Sequence, residues 1–243
     1  MTTETDGSSL REKAAEFADE IQTTLRSTLP GDITVVSTAA PGRENRFLVR
    51  PIGNSAAEQR IRLFVAGEEL AVLSVAFYLE MDRVGTHLKT VRTDLAIHST
   101  LDRTPLVRLD FRSDMTSDPI SHWQVHAERG SMSHLLARAH AVRPKVVTRP
   151  HDMSSLHFST GGERFRPCLE DFLQFAIEEC GVDPQPGWET AITEGRERWR
   201  RRQLRTVARD AQEEVAGVLE RHGWTVTPPE GEIGENSRIF TTW

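Results

Sequence analysis

The sequence has no long hydrophobic run. The longest nearly apolar segment, residues 70–79, has ten residues and includes Ser74, about half of the ~20 that a membrane-spanning helix requires. Residues 1–9 are polar and contain Glu4 and Asp6, where a secretory signal has basic residues followed by an apolar stretch. We therefore predict no transmembrane segment and no export signal, and we expect a cytosolic protein.

Cysteine is also scarce, with Cys168 and Cys180 as the two residues of this type. Both fall in a segment whose pattern predicts a helix, where a rise of ~1.5 Å per residue puts them ~18 Å apart. A disulfide requires Cα atoms within ~7 Å of each other, so these two cysteines do not pair with each other. Without a CxxC pair, the sequence also has no zinc-binding cysteine motif.

Common catalytic motifs are missing as well: the sequence contains no GxSxG elbow, dinucleotide fingerprint, EF-hand loop or kinase motif. Its composition is that of an ordinary globular protein, with 36 acidic and 30 basic side chains among 243 residues, a net charge of −6 and 37% hydrophobic residues. Fibrous and wholly disordered classes are therefore excluded. A chain of this length can bury a sizeable core without disulfides or metals.

Hydrophobic periodicity divides the chain into a helix, a β-rich middle and a helical end. Residues 9–29 repeat apolar side chains every three or four positions, which is typical of an amphipathic helix. Segments rich in Val, Ile, Leu and Phe follow, separated by turn residues, at 33–37, 46–50, 60–65, 70–81, 88–97 and 106–112. Helical patterns return at 132–141, 167–181 and 186–222, and a change of phase between Trp199 and Leu204 predicts a kink or two successive helices.

These patterns predict an α+β fold: an N-terminal helix, a mostly antiparallel sheet of about six to eight strands, and C-terminal helices packed on the sheet. The expected organisation is a disordered N-terminus over residues 1–8, an α+β core domain over 9–181, and a helical segment over 182–226. A flexible tail over 227–243 follows. Residues 142–155, which are irregular and contain proline, are the best candidate for a mobile loop.

Two neighbouring segments alternate strictly between polar and apolar residues. If both are strands, Arg108 and Asp110 share one face, and His122, Gln124 and His126 share one face. Pairing the two segments gathers groups that bind anions and transfer protons. The predicted catalytic residues are His122, His126, Asp110 and Arg108; the alternative is a solvated sheet face with ordinary salt bridges. Since His122 and His126 are ~13 Å apart along a strand, we predict no shared metal site.

A glycine-containing turn precedes the helix predicted at residue 167. His157, Arg164 and Arg166 flank Gly161 and Gly162, and backbone N–H groups at a helix N-terminus attract anions. His157, Arg164 and Arg166 are therefore candidate anion-binding residues. The segment lacks P-loop spacing, and a plain connection from strand to helix is the alternative interpretation.

The strongest charge feature is a row of arginines on the last long helical segment. Arg198, Arg202, Arg205 and Arg209 fall within about 40° of one line on a helix, and we call these four residues the arginine stripe. Such a line in an otherwise acidic protein indicates contact with phosphate groups or with an acidic partner. Pairs such as Glu194 with Arg198, four residues apart, also fit a solvated helix face.

The resulting hypothesis is a nucleic-acid-associated protein, with the arginine stripe on phosphates and the Arg108/Asp110/His122/His126 face as the recognition or reaction surface. If it is an enzyme, we expect a metal-independent nuclease or another acid/base hydrolase that needs no cofactor. The alternative is a non-catalytic interaction or oligomerisation module, in which the arginines contact an acidic protein surface or another copy of the chain. No membrane partner is expected.

Overall fold

The structure is a computed structural model of the chain. It describes residues 9–43, 45–101, 104–126, 137, 140–141, 144–145, 149, 157–161, 163–231, 234 and 238–241. The predicted disordered N-terminus lies outside these residues. So do most of the predicted helix at 132–141 and most of the predicted mobile loop at 142–155.

Helix α1, Leu10–Thr28, begins at a capping box in which the Ser9 hydroxyl accepts from the Glu12 N–H and the Glu12 carboxylate accepts from the Ser9 N–H. This reciprocal pairing satisfies two backbone donors that a helix start otherwise leaves free. The buried stripe of α1 includes Ala14, Ala18 and Leu25. With this stripe the helix packs across β1, β2, β4 and β5.

The described strands form one eight-stranded sheet in which the order along the main path is β1-β2-β4-β5-β6-β7-β8. All of these pairings are antiparallel. The long strand β4 pairs with β5 along one edge, while its other edge is shared by β3 and β2. The strands are β1 Val35–Ala39, β2 Phe47–Pro51, β3 Ile61–Val65, β4 Glu68–Met81, β5 Leu88–Ser99, β6 Pro105–Arg112, β7 Ser121–Val125 and β8 Phe158–Ser159.

The two faces of the sheet differ because side chains alternate along each strand. On the apolar face, side chains such as Leu73, Leu95 and Leu109 join the core. Side chains of α1 and of the helix at Leu169–Glu178 complete it. The opposite face carries polar groups, including His98, Asp110 and His122, that are nevertheless buried.

The C-terminal helices are α2 Leu169–Glu178, α3 Trp188–Asp210, α4 Gln212–Arg221 and α5 Arg238–Thr241. Helix α3 packs against both α1 and α2. The predicted break between Trp199 and Leu204 is wrong in position: α3 continues through this region, and the chain leaves helical geometry at Ala211. Leu204 is exposed, so the change of phase does not interrupt a buried stripe.

The predicted α+β architecture is confirmed, with an N-terminal helix, an antiparallel sheet and C-terminal helices packed against it. Every helix in the described ranges is too short or too polar to cross a bilayer.

Candidate active site

Strands β6 and β7 pair in a register that brings the predicted hairpin residues together. Asp110 lies opposite His122, and Arg108 lies opposite Gln124. Because side chains two residues apart along a strand point to the same side, all four lie on the polar face. With His157, described below, we call these five residues the polar cluster.

The buried part of the polar cluster is the pair formed by His122 and Asp110. The imidazole Nδ1 of His122 lies 2.8 Å from the backbone oxygen of Pro119, and because a carbonyl oxygen only accepts, Nδ1 carries a proton. Nε2 then faces the Asp110 carboxylate, with its nearest oxygen at 3.9 Å. The carboxylate also binds Arg108 at 2.8 Å. The hydrogen bond to Pro119 thus orients the His122 ring so that Nε2 faces Asp110.

His157 joins the cluster through the short strand β8. The pairing of β7 with β8 sets Ser159 opposite His122, and the rings of His122 and His157 meet edge to face with centroids 4.5 Å apart. Nε2 of His157 lies 3.4 Å from the Gln124 amide nitrogen, and Nδ1 lies 3.6 Å from the Asp118 carboxylate. The structure therefore places His157 with the polar hairpin and not with the arginines of the glycine turn.

Burial and neighbouring charge shift the pKa values of two cluster residues. Burial raises the pKa of Asp110, with a further rise from the carboxylate of Asp94 on β5, against the opposing effects of Arg108 and His122. Burial also lowers the pKa of His157, and the neighbouring His122 lowers it further. His157 is therefore biased toward its neutral, proton-accepting form near neutral pH. The Oδ1 atom of Asp110 is buried and has no hydrogen-bond partner among the described residues.

A second polar row on β5, which sequence reasoning missed, borders the cluster. Asp94 lies directly opposite Asp110, and its carboxylate binds Arg92 at 2.7 Å. The Arg92 guanidinium also lies over the Tyr78 ring, 4.9 Å from its centroid. The spacing Arg-x-Asp is the same in Arg92 and Asp94 as in Arg108 and Asp110, and this repeat was the available signal.

His126 lies one position beyond the end of β7, next in the alternation after His122 and Gln124. Its backbone N–H donates to the Leu106 carbonyl at 2.9 Å. Its separation of four residues from His122 corresponds to ~13 Å along an extended strand. The polar cluster is therefore built around His122 and His157, and His126 lies at its end.

The arginine stripe lies on α3, on the other side of the sheet from the polar cluster. Two of its members bind within the fold: Arg202 forms a salt bridge with Glu20 of α1, and Arg198 lies 3.9 Å from the same carboxylate. Arg205 and Arg209 are exposed. The structure thus divides the stripe into a helix-to-helix ion pair and an exposed end.

The two arginines of the glycine turn are also separated from His157. Arg164 binds the carboxylates of Asp210 and Glu163 at 2.8 and 2.9 Å. Arg166 is buried, and its guanidinium lies 3.9 Å from the centroid of the Phe111 ring on the apolar face. Neither arginine joins the polar cluster.

Comparison of the chain with protein-family models, with curated proteins and with solved structures finds no match. Function is therefore argued from the site. In the described part of the chain, no group of three or more His, Cys, Asp and Glu side chains is arranged to hold a metal ion.

Proposed function

We propose that this protein binds RNA at the polar cluster and cleaves its phosphodiester bonds by metal-independent acid/base chemistry. The observation that supports this function best is the ring contact of His157 with His122, in a cluster that also holds Asp110 and Arg108. A neutral histidine next to an arginine provides both a proton acceptor and a group that stabilises charge on a phosphoryl oxygen.

Exposure assigns the roles within the cluster. The side chains of His157 and Arg108 are 23% and 33% exposed, whereas His122 and Asp110 are at 4% and 8%. His157 and Arg108 are therefore the residues that contact the substrate. His122 and Asp110 are positioning residues, since the His122 ring lies edge to face against the His157 ring and Asp110 faces His122.

The reaction follows from these roles. Nε2 of His157 takes the proton of a ribose 2′-hydroxyl. This hydroxyl replaces the Gln124 amide, whose nitrogen lies 3.4 Å from Nε2. The 2′-oxygen then bonds to phosphorus, and the bond from phosphorus to the 5′-oxygen breaks. The leaving oxygen takes a proton from water, and the hydroxide so formed takes the proton held by His157. Arg108 donates to the phosphoryl oxygens, where negative charge develops. RNA fits this chemistry because it carries its own nucleophile, which DNA lacks.

The arginine stripe has a smaller part in this proposal. Since α3 lies on the opposite side of the sheet, a short RNA bound at the polar cluster does not reach Arg205 and Arg209. They are available for phosphate groups of a longer RNA, with the salt dependence that such contacts give.

The test is cleavage of labelled single-stranded RNA in excess EDTA, with DNA of the same sequence as the uncut control. We expect RNA cleavage by the wild-type chain and its loss in H157Q, which keeps polarity but not basicity at this position. His87 is exposed on the β4–β5 turn, so H87Q is the matched control and should cleave like wild type. Absence of RNA cleavage by the wild type, or full activity in H157Q, would contradict the proposed function.

A second candidate function, a protein-interaction module, is favoured by the C-terminal helices. Helix α4 contributes no buried residue, and Leu204, Val218 and Trp224 are exposed. All three side chains belong to the α3–α4 segment and the residues just after it, and a contiguous apolar patch there would be typical of a protein-binding surface. Association that persists at high salt in sedimentation velocity, together with no RNA cleavage, would favour this function over the first.

A further inference from the structure

A cavity of about 820 Å³ lies on the apolar side of the sheet, away from the polar cluster. Its walls come from α1, the sheet, the segment before α2, and α3, through residues such as Phe17, Phe111, Arg166 and Trp199. The side chain of Phe111 points to the face opposite to that of its neighbour Asp110, so this cavity and the polar cluster are separate sites. Its volume is within the range of about 300 to 1,000 Å³ for small-molecule sites.

The cavity contains a buried cation that is poorly satisfied. Arg166 is 8% exposed, and its guanidinium lies 3.9 Å from the Phe111 ring centroid and 5.8 Å from that of Trp199. Burial lowers the Arg166 pKa to about 10, which leaves the side chain charged at neutral pH. A guanidinium has five N–H donors, yet within the described residues its hydrogen-bond acceptor is the Glu163 carbonyl oxygen.

The carboxylates around this cavity are occupied by other partners. Glu163 binds Arg164 and Lys89, and Asp210 also binds Arg164. Glu20 binds Arg202, and Asp82 lies 3.4 Å from His87 and accepts from backbone N–H groups. The remaining carboxyl group, Glu170, is buried, and this burial raises its pKa. An incoming anion therefore meets Arg166 without competition from an unpaired surface carboxylate.

A buried acceptor lies on the α3 wall of the same cavity. The Oε1 atom of Gln203 is inaccessible to solvent and has no hydrogen-bond donor among the described residues. Buried polar atoms are nearly always hydrogen-bonded, because leaving one unpaired costs about 1 to 3 kcal/mol. Gln203 and Arg166 line the same cavity, so its lining contains both an acceptor without a donor and a cation with unused donors.

We infer that this cavity binds a small organic anion, whose oxyanion group pairs with Arg166 and whose apolar body packs against Phe17, Phe77 and Trp199. Guanidinium groups bind carboxylates, sulfonates and phosphates through the same parallel donors, so the recognised chemistry is an oxyanion on an aromatic or aliphatic body.

The probe for the test is 8-anilinonaphthalene-1-sulfonate, which combines a sulfonate, an N–H donor and an aromatic body. N-phenyl-1-naphthylamine is the matched neutral probe, because it has the same rings and N–H group without the sulfonate. Fluorescence titration of the folded full-length chain should give saturable binding of the anionic probe at one site. The anionic probe should bind about tenfold more tightly than the neutral one, as expected for a charge-assisted contact in a buried site.

Three variants locate the binding. R166M keeps the length of the side chain over Phe111, and Q203E places a negative charge on the α3 wall of the cavity. Each should weaken binding of the anionic probe about tenfold or more and leave the neutral probe within about twofold. Arg200 is exposed on α3, and R200M should leave both probes unchanged.

Equal affinity of the two probes for wild type, no saturable binding, or unchanged binding in the cavity variants would overturn the inference. Urea unfolding of each variant establishes that it is folded. If R166M does not fold, Q203E decides the question, because its side chain has nearly the same shape as the wild-type one.

Discussion

Around Asp110, Phe111 and His122, both faces of the sheet bury side chains, but they bury different chemistry. On the apolar face, Phe111 lies in the core. On the polar face, its neighbour Asp110 lies against His122 and Arg108. Phe111 and Asp110 are both almost inaccessible to solvent. The apolar face gains free energy from burial, whereas the polar face loses free energy by removing ionisable groups from water. Burial alone therefore does not identify a stabilising contact in this protein.

The largest expected effect is on the apolar face, in F172A. Phe172 is fully buried, and its ring stacks on Trp123 with centroids 5.3 Å apart. Removing a buried phenyl ring should lower the free energy of unfolding by about 3 to 5 kcal/mol, from lost transfer energy and from the cavity that remains. Urea unfolding measures this loss. V84A, at a side chain that is 80% exposed, is the control, and an equal effect of both would contradict the assignment of the core.

The opposite sign is expected on the polar face, in D110N. Because burial raises the pKa of Asp110, the fold favours the uncharged carboxyl, which asparagine imitates. We expect D110N to raise the free energy of unfolding at pH 7, because a folded pKa above the unfolded one means that the charged carboxylate destabilises the fold. The size of this gain should be smaller than the loss in F172A, and D110N should also lower RNA cleavage. Destabilisation by D110N at pH 7 would show that the ion pair with Arg108 outweighs the cost of burial.

The same variant gives a pH dependence with a defined sign. Between the unfolded pKa of aspartate, about 3.9, and the raised folded value, the native state binds more protons than the unfolded state. The contribution of Asp110 to stability is therefore present below about pH 3.9 and is lost as pH rises through the folded pKa. Unfolding curves at several pH values should show wild type and D110N converging at low pH and separating toward neutrality. A constant difference across this range would contradict the raised pKa.

The smallest expected effect concerns the arginine stripe, and it shows whether Arg202 acts within the fold. Its partner Glu20 is 27% exposed and Arg202 itself 41% exposed, so a double-mutant cycle with E20Q and R202M should give a coupling energy below about 1 kcal/mol. A coupling energy near zero, combined with a loss of RNA affinity in R202M, would support the phosphate-binding role that the sequence suggests for Arg202.

The sequence predicted the parts of the site that depend on local alternation and missed those that depend on distant pairing. Alternation in two neighbouring segments was sufficient to place Arg108, Asp110, His122 and Gln124 on one face. His157 could not be placed there, because a two-residue strand carries no pattern that specifies its partner. Likewise, nothing near Arg202 in the sequence indicates that Glu20, in the first helix, supplies its carboxylate.

The order in which strands follow one another along the chain has a consequence for synthesis. Strands β4 to β7 pair successively with their sequence neighbours, so these hairpins can close soon after each strand leaves the ribosome. The Trp123 end of the apolar face, however, is covered by Phe172 and Phe175 of α2, which are made about fifty residues later. During translation this nascent sheet therefore presents an uncovered hydrophobic surface, and it is at this stage that we expect the chain to depend most on chaperones.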